Sequence, residues 1–442
     1  MCVVCVTIVV MVEWKKLQGI LVLYLVGLIP LFLWINYVGI DSVTANSGVF
    51  VASMGKAVAL SGIALYAVMP LLSMRNAHVM KLFGGMGHVY VLHKTAGKLS
   101  FLLILAHPLL LGVGRLMQGS TITTIWDWWS VIITIGIVAL IGLIFATAMS
   151  IYSHIKHQNW IIIHRLFGWL LPVFFIHALV ARSQIVQNKA LLAYMMTLGI
   201  LGFCAFLYRS VFGRYFVKQH RYEVAEVNRF GDTVAEIVLK PLGVPVSFAA
   251  GQFAFLRFEA EGIDSEAHPY SFSNAPNGPY ARFTVKALGD DTAALQSLES
   301  GAKAFLEGPY GDFSYKNISN RKQVWIAGGV GITPFLSMAR SLSASREYDI
   351  RFFYGTESIS DAVFLGEFND ITRHLPKNFK TSVVAKDVEG FVTATLLAES
   401  IGDLNEYDYM ICGPPGMMKA LQEQLSYVGV PENQIHIEAF SM

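Results

Sequence analysis

Four histidines stand in apolar surroundings. His93 and His107 end the stretch "HKTAGKLSFLLILAH", and His164 and His177 end "HRLFGWLLPVFFIH". An ionisable side chain inside hydrocarbon is costly, and such residues usually mark a functional site. Imidazole is a common metal ligand, and a haem iron takes one axial ligand on each face. The steps between the histidines are fourteen and thirteen residues, or about 20 Å along a helix axis. If both segments cross a bilayer in the same direction, the histidines form two layers, each with one ligand from each segment. Two stacked bis-histidine b-type haems fit that arrangement, with His93, His107, His164 and His177 as the iron ligands. The bland alternative is four structural histidines bonded within a helical bundle. Helical phase is the difficulty. At about 100° per residue, fourteen steps return to within about 40° of the same face, whereas thirteen miss it by about 140°. The second segment must bend, and Pro172 supplies a cause. Pro108 offers the first segment a similar device.

These histidines need a bundle to hold them. The chain has 442 residues, 54% hydrophobic and only 14% charged, against about a quarter charged in ordinary soluble domains. The apolar excess sits before about residue 212. Six windows there are long and apolar enough to span a bilayer, roughly 17–39, 49–73, 88–112, 130–151, 160–181 and 190–209. Lys15, Lys16, Arg75, Lys81, Lys94, Lys98, Lys156, Arg165, Arg209, Arg214 and Lys218 fall at one set of ends, and only Arg115, Arg182 and Lys189 at the other. The positive-inside rule then puts both termini in the cytoplasm of a multi-pass plasma (inner) membrane protein. His93 and His164 lie toward the inner side, His107 and His177 toward the outer. The remaining inner-face histidines, His78, His88, His154 and His157, are expected at the wet interface.

Lys56 falls in the outer third of the second window. It either snorkels outward or faces the outer haem, drawing a propionate or an anionic or reducible acceptor. Arg115 and Arg182 stand ready to share that role. Residues 1–16 form an N-terminal segment too short in its apolar part to span, with Met1 and Met11 both plausible starts. Cys2, Cys5, Cys204 and Cys412 make no disulfide framework or zinc spacing. A net charge of +2 without a basic run gives no reason to expect nucleic acid as a partner.

From about Tyr215 the pattern is that of a soluble protein. "RYEVAEVNRFGDTVAEIVLKP", "GQFAFLRFEA" and "ARFTVKAL" read as short antiparallel strands of a small β-barrel over about 217–316. In "TVKALGDDTAAL", Lys286 precedes a helix start near Thr292, whose backbone N–H groups suit a pyrophosphate, although Asp290 and Asp291 weaken it. Strands and helices alternate over about 321–442. "QVWIAGGVGITPFLSMARSL" is strand, glycine loop and helix, in which Gly328, Gly329 and Gly331 allow close approach to a phosphate. After the next strand, "GTES" offers Glu357, which suits a ribose hydroxyl better than a 2′-phosphate and leans toward NADH or use of both nucleotides.

"HPYSFSNAP" (268–276), "EGPYGDF" (307–313), "GGVGITP", "FFYGTES" (352–358) and "CGPPGM" follow in order. That series resembles the ferredoxin–NADP reductase superfamily. With the histidine-bearing bundle before it, the chain resembles the NADPH oxidase and ferric reductase family, over about residues 17–442. The resemblance implies a six-helix α-helical transmembrane bis-haem domain at 17–212, an antiparallel β-barrel FAD domain at 217–316, and an α/β Rossmann-like NAD(P)H-binding domain at 321–442. It implies Tyr270 on the isoalloxazine, Ser271 near its reactive nitrogen, and His268, followed by Pro269, toward the pyrophosphate. Thr333 and Pro334 of "GGVGITP" and Gly413 and Pro414 of "CGPPGM" are implied as cofactor-binding residues. Cys412 lies near the nicotinamide, or is simply a small buried residue. Phe440 covers the flavin, or is simply a packing residue. The implied activity is a relay from NAD(P)H through FAD and two haem b groups to oxygen, giving superoxide. Reduction of a ferric chelate, or electron donation to a protein or quinone partner, are the alternatives. The family's animal oxidases have a further histidine one turn beyond the outer ligand; here that position is Leu111. The oligomeric state is left open.

Overall fold

The structure is a computed structural model. It describes the backbone over residues 3–120, 131–152, 155, 157–180, 184–264, 266–342, 348–375 and 377–438, and side chains over these except 3–16, 77–78, 81, 131–132, 157, 184 and 214. The chain divides into two compact units, one being Val6–Val217 and the other containing Lys218–Met442.

The first unit is helical: α1 (Val3–Val38), α2 (Ser47–Leu72), α3 (Met86–Met117), α4 (Val131–Ile151), α5 (His157–His164), α6 (Leu166–Val180) and α7 (Lys189–Phe206). Among the described residues, six spans are long and apolar enough to cross a membrane, α5 and α6 together making one of them. Helix is what such sequences must form, because lipid offers backbone N–H and C=O groups no partner. The same need explains the polar latches between helices. Ser61 Oγ donates to Gly27 O (2.8 Å), Ser100 Oγ to Gly62 O (2.8 Å), Tyr194 OH to Val26 O (2.9 Å) and Tyr66 OH to Phe167 O (2.7 Å). Helices α2 and α3 run antiparallel and pack very closely. A Cβ on Gly48 would lie 2.9 Å from Gly114 O, and one on Gly55 would lie 3.0 Å from Leu111 N. Small residues let two backbones approach in a setting where burial alone gives little drive to associate.

The span carrying His164 and His177 is broken, but not where its sequence suggests. Pro172 lies inside α6, and the interruption falls at Arg165. There Gly168 N–H closes on Arg165 O at 3.1 Å, a bond between residues three apart. Such a turn advances about 120° per residue instead of about 100°. Overwinding of that kind rotates His177 back toward the face of His164.

The second unit begins with a six-stranded antiparallel sheet in the order β4-β3-β6-β1-β2-β5. Its strands are β1 (His220–Phe230), β2 (Val234–Pro241), β3 (Phe253–Glu259), β4 (His268–Ser271), β5 (Ala281–Lys286) and β6 (Lys303–Tyr310). A bridge between Phe272 and Phe283 brings the two edges of the sheet together. Leu256, Phe272, Phe283 and Leu306 fill its interior. A parallel sheet in the order β11-β10-β7-β8-β9 follows. Its strands are β7 (Lys322–Gly328), β8 (Asp349–Thr356), β9 (Phe379–Ala385), β10 (Asp408–Cys412) and β11 (Ile435–Glu438). Helices α8 (Thr333–Arg340), α9 (Leu365–His374), α10 (Ala394–Ile401) and α11 (Pro415–Tyr427) complete this part. Trp325, Phe335, Phe352 and Phe379 make an aromatic core of tilted, edge-on and stacked rings on one side of the sheet, and Val324, Leu397, Ile411 and Leu421 pack together in a second core.

Arg340 ties the two sheets of this unit. Its guanidinium donates to Glu236 on β2 (2.7 Å), to Ser273 O (2.9 Å), and through two nitrogens to Glu367 on α9 (2.7 and 2.8 Å). The Glu236 side chain is only 3% exposed, so Arg340 balances a charge that water does not reach.

Candidate functional site

The bundle brings the four histidines together in the two expected pairs. His93 and His164 face each other with ring centroids 6.3 Å apart, and their Nδ1 atoms are buried without a hydrogen-bond partner. A metal–imidazole bond is about 2 Å and a ring centroid lies about 1.2 Å beyond its nitrogen, so two imidazoles on opposite faces of one metal sit about 6.4 Å apart. The observed centroid separation of 6.3 Å matches that spacing, with the two ring planes tilted by 44°. Trp160 stacks on His164 at 4.6 Å, and Phe167 meets it edge-on at 5.0 Å. These apolar walls suit a flat hydrophobic group.

His107 and His177 lie within electrostatic reach of each other. His107 Nδ1 is 2.8 Å from Gly55 O. A carbonyl only accepts, so this nitrogen carries the hydrogen and the lone pair is left on Nε2. A histidine ligand held in this manner by its second nitrogen is the usual arrangement at metal sites. Lys56 follows Gly55 in sequence and lies within electrostatic reach of Arg115 in the last turn of α3, so one end of the α2–α3 pair carries two cations. Leu111 packs against Gly55. Arg182, His154, Lys156 and Phe440 lie outside the described residues.

In the antiparallel sheet, β4 holds His268, Pro269, Tyr270 and Ser271 against β3. Ser271 is buried. Burial, and then the Asp291 carboxylate, push the Tyr270 phenol above its usual range, so it is neutral. His268 Nε2 lies 3.7 Å from Asp291 Oδ2. Strand β4 and the short turn Asp290–Ala294 thus meet at one place. Thr292 Oγ1 accepts from Leu288 N (2.9 Å) and Gly289 N (3.0 Å) and donates to Gly289 O (3.1 Å), closing its own turn. Lys286, at the end of β5, acts electrostatically on Asp361.

The two nucleotide loops meet at the carboxyl ends of β7 and β10. A Cβ on Gly331 would lie 2.2 Å from Cys412 O, and one on Gly413 would lie 3.1 Å from Gly328 N. Gly328, Gly331 and Gly413 are therefore needed for loop-to-loop contact. Gly329, with φ of 53° and open space around its α-carbon, is the glycine that supplies the left-handed turn. Thr333 Oγ1 donates to Val330 O (3.0 Å), and Pro334 opens α8. Pro414 precedes α11. Past β8, Glu357 is paired with Lys386 at 2.7 Å. Cys412 is buried between β7 and β11. Burial, and then the Glu438 carboxylate opposite it, push its thiol far up, so it stays protonated.

Sequence reading missed Glu438. Burial and then Asp312 raise its carboxyl to about 8. Only the parallel register of β10 and β11, pairing Cys412 with Glu438, puts a carboxyl beside the thiol. An acidic residue near the end of the last strand was the available signal.

Residues 58–175 match the family described as ferric reductase like transmembrane component, and residues 325–423 match the oxidoreductase NAD-binding domain. The chain thus joins a region similar to a ferric reductase transmembrane component to a region similar to an oxidoreductase NAD-binding domain. Over 208 residues the chain is 28% identical to the glycine betaine monooxygenase reductase subunit of Chromohalobacter salexigens, covering 44% of this chain and 56% of that one. It is 29% identical over 230 residues to a ferredoxin–NAD(P)(+) reductase of Metapseudomonas resinovorans, covering 49% and 68%. The chain thus spans about half to two thirds of these relatives. A flavohemoglobin structure from Malassezia yamatoensis shares the fold at 16% identity and a TM-score of 0.52, over 88% of this chain and 99% of that one.

Proposed function

We propose that this oxidoreductase passes electrons from NAD(P)H across the membrane to oxygen, producing superoxide. The observation that carries the reading is the pairing of four intramembrane histidines, one pair spaced for a bis-histidine iron. When bound, FAD would accept hydride and release single electrons, and two b-type haems would carry them one at a time. The chain's own contribution is placement. Tyr270 and Ser271 present a flat neutral ring and a small hydroxyl at the flavin motif. The loops at Gly329 and Gly413 approach the dinucleotide, and Glu357, paired with Lys386, accepts from ribose hydroxyls, in keeping with NADH or use of both nucleotides. His93 with His164, and His107 with His177, would hold the inner and outer irons. Lys56 and Arg115 attract the acceptor or its anionic product. The charge pattern places both termini and the dehydrogenase half in the cytoplasm of a plasma membrane.

A second reading, reduction of a ferric chelate, is favoured by the family match over residues 58–175. Purified protein is expected to show a b-type spectrum with about two haems per FAD, and no haem band would sink the relay. NADH should drive cytochrome c reduction that superoxide dismutase suppresses. If only ferric chelates accept electrons at a useful rate, the second reading replaces the first. Dependence on an added protein or quinone would make the chain a donor module. His107→Ala is expected to lose one haem while NADH-driven flavin reduction survives.

A further inference from the structure

The two rungs are seated differently. The inner pair lies among aromatic rings, His164 being stacked on Trp160 and edge-on to Phe167. The outer pair lies on glycines of neighbouring helices. His107 hydrogen-bonds the Gly55 carbonyl of α2 at 2.8 Å. His177 lies against Gly136 of α4, where an added Cβ would be 2.6 Å from its Cε1, 3.0 Å from its Nδ1 and 3.1 Å from its Nε2. Those distances put the distal edge of the imidazole against Gly136, so a side chain there would have to displace the His177 ring. At Gly55 the added Cβ would meet His107 O at 3.2 Å and Leu111 N at 3.0 Å, both main-chain atoms that only a shift of α3 could relieve.

We infer that Gly55 and Gly136 are positioning residues for the outer haem, and that neither serves the inner one. Gly55 lets α3 come close enough for His107 to bond a carbonyl, which fixes the tautomer and leaves Nε2 as the ligand atom. Gly136 sets the plane and depth of the His177 ring. The inner rung has a carbonyl behind it too: Met69, fourteen residues after Gly55, backs His93, fourteen residues before His107. That contact leaves His93 Nδ1 without a hydrogen-bond partner. The carbonyl repeat follows the antiparallel α2–α3 pair, and at the outer site it comes with a bond closed at 2.8 Å and a glycine against the second imidazole.

The inference rests on the haem reading, and the experiment separates the two. Haem per protein, reduced-minus-oxidised spectra and a potentiometric titration would be measured on full-length Gly136→Ala, Gly55→Ala and Gly112→Ala. His177→Ala and His164→Ala supply the outer-loss and inner-loss signatures. Gly112 on α3 has open space around its α-carbon, so its variant controls for an added methyl group. Gly136→Ala should fall from about two haems to about one, with the spectrum of His177→Ala and full FAD content. Gly55→Ala should keep two haems but shift the half-reduction of one component only. Gly112→Ala should match wild type. Two unchanged haems in Gly136→Ala, or loss of both, would overturn the inference, the second outcome making Gly136 a general packing residue. Wild-type protein without haem ends both readings at once. Two haems in wild type with an unaltered Gly136→Ala ends this one alone.

Discussion

Glu438 titrates where few carboxyls do. Its folded pKa of about 8 stands above an ordinary value of 4.5, because burial and Asp312 disfavour the charge. Between those values the folded protein keeps a proton that the unfolded chain has released. The stability linked to this group is therefore complete below about pH 4.5 and is lost as pH rises toward 8. Glu438→Gln cannot ionise, so its thermal midpoint, read by flavin release, should fall less than that of wild type between pH 5 and 8. Parallel profiles would show that the carboxyl is not held neutral. The same substitution removes the charge that helps to raise the Cys412 thiol. At this scale sequence went far. All four histidines and the Tyr270–Ser271 pair were legible, because imidazoles in hydrocarbon and a flavin-type motif stand out from their surroundings. Glu438 was not, since a glutamate in a strand is unremarkable until its neighbour is known.

Elements decide how closely the sites are drawn together. The loops after β7 and β10 touch through main chain, with no space for a methyl group on Gly331. Overpacking of this kind costs about 1–3 kcal/mol. Gly331→Ala should therefore raise KM for NADH by about tenfold or more, with kcat and flavin content changed much less. An unaltered KM would mean that loop packing does not shape the dinucleotide site. The break in the histidine-bearing span belongs to this scale as well. Six apolar spans and the strand–helix alternation were readable from composition and period, since hydrocarbon permits little besides helix. The break at Arg165 was not. Proline is the expected cause of a bend, yet α6 carries Pro172 without ending, and the chain overwinds seven residues earlier.

At the scale of the whole molecule, the second unit works only if its two sheets keep a fixed relation, since one carries the flavin motif and the other the nucleotide loops. Arg340 supplies a polar tie between them, through Glu236, Ser273 O and Glu367. Removing one partner of a buried ion pair costs about 3–5 kcal/mol, because the other charge is left stranded. Arg282, 3.4 Å from Glu236 and 43% exposed, offsets part of that cost. Arg340→Ala should lower the urea midpoint for flavin release by an amount equivalent to about 3 kcal/mol, with haem content unchanged. A midpoint equal to wild type would show that apolar contacts such as Phe230 on Phe364 hold the two parts together unaided.

The sequence by itself determined the kind of molecule: a helical membrane component bearing paired histidines, then an antiparallel flavin-type sheet and a parallel dinucleotide-type sheet. Those features are written in hydropathy, period and short motifs, which act over a few residues and do not depend on the rest of the chain. Tertiary structure alone decided which groups face each other. It placed His93 6.3 Å from His164, bonded His107 to a carbonyl fifty-two residues away, laid His177 on Gly136 and set Glu438 beside Cys412. These contacts join residues remote in sequence, and a glycine or carbonyl that serves a site carries no local mark of it. Partners of that kind are fixed by helix crossing and strand register, which only the packed chain defines.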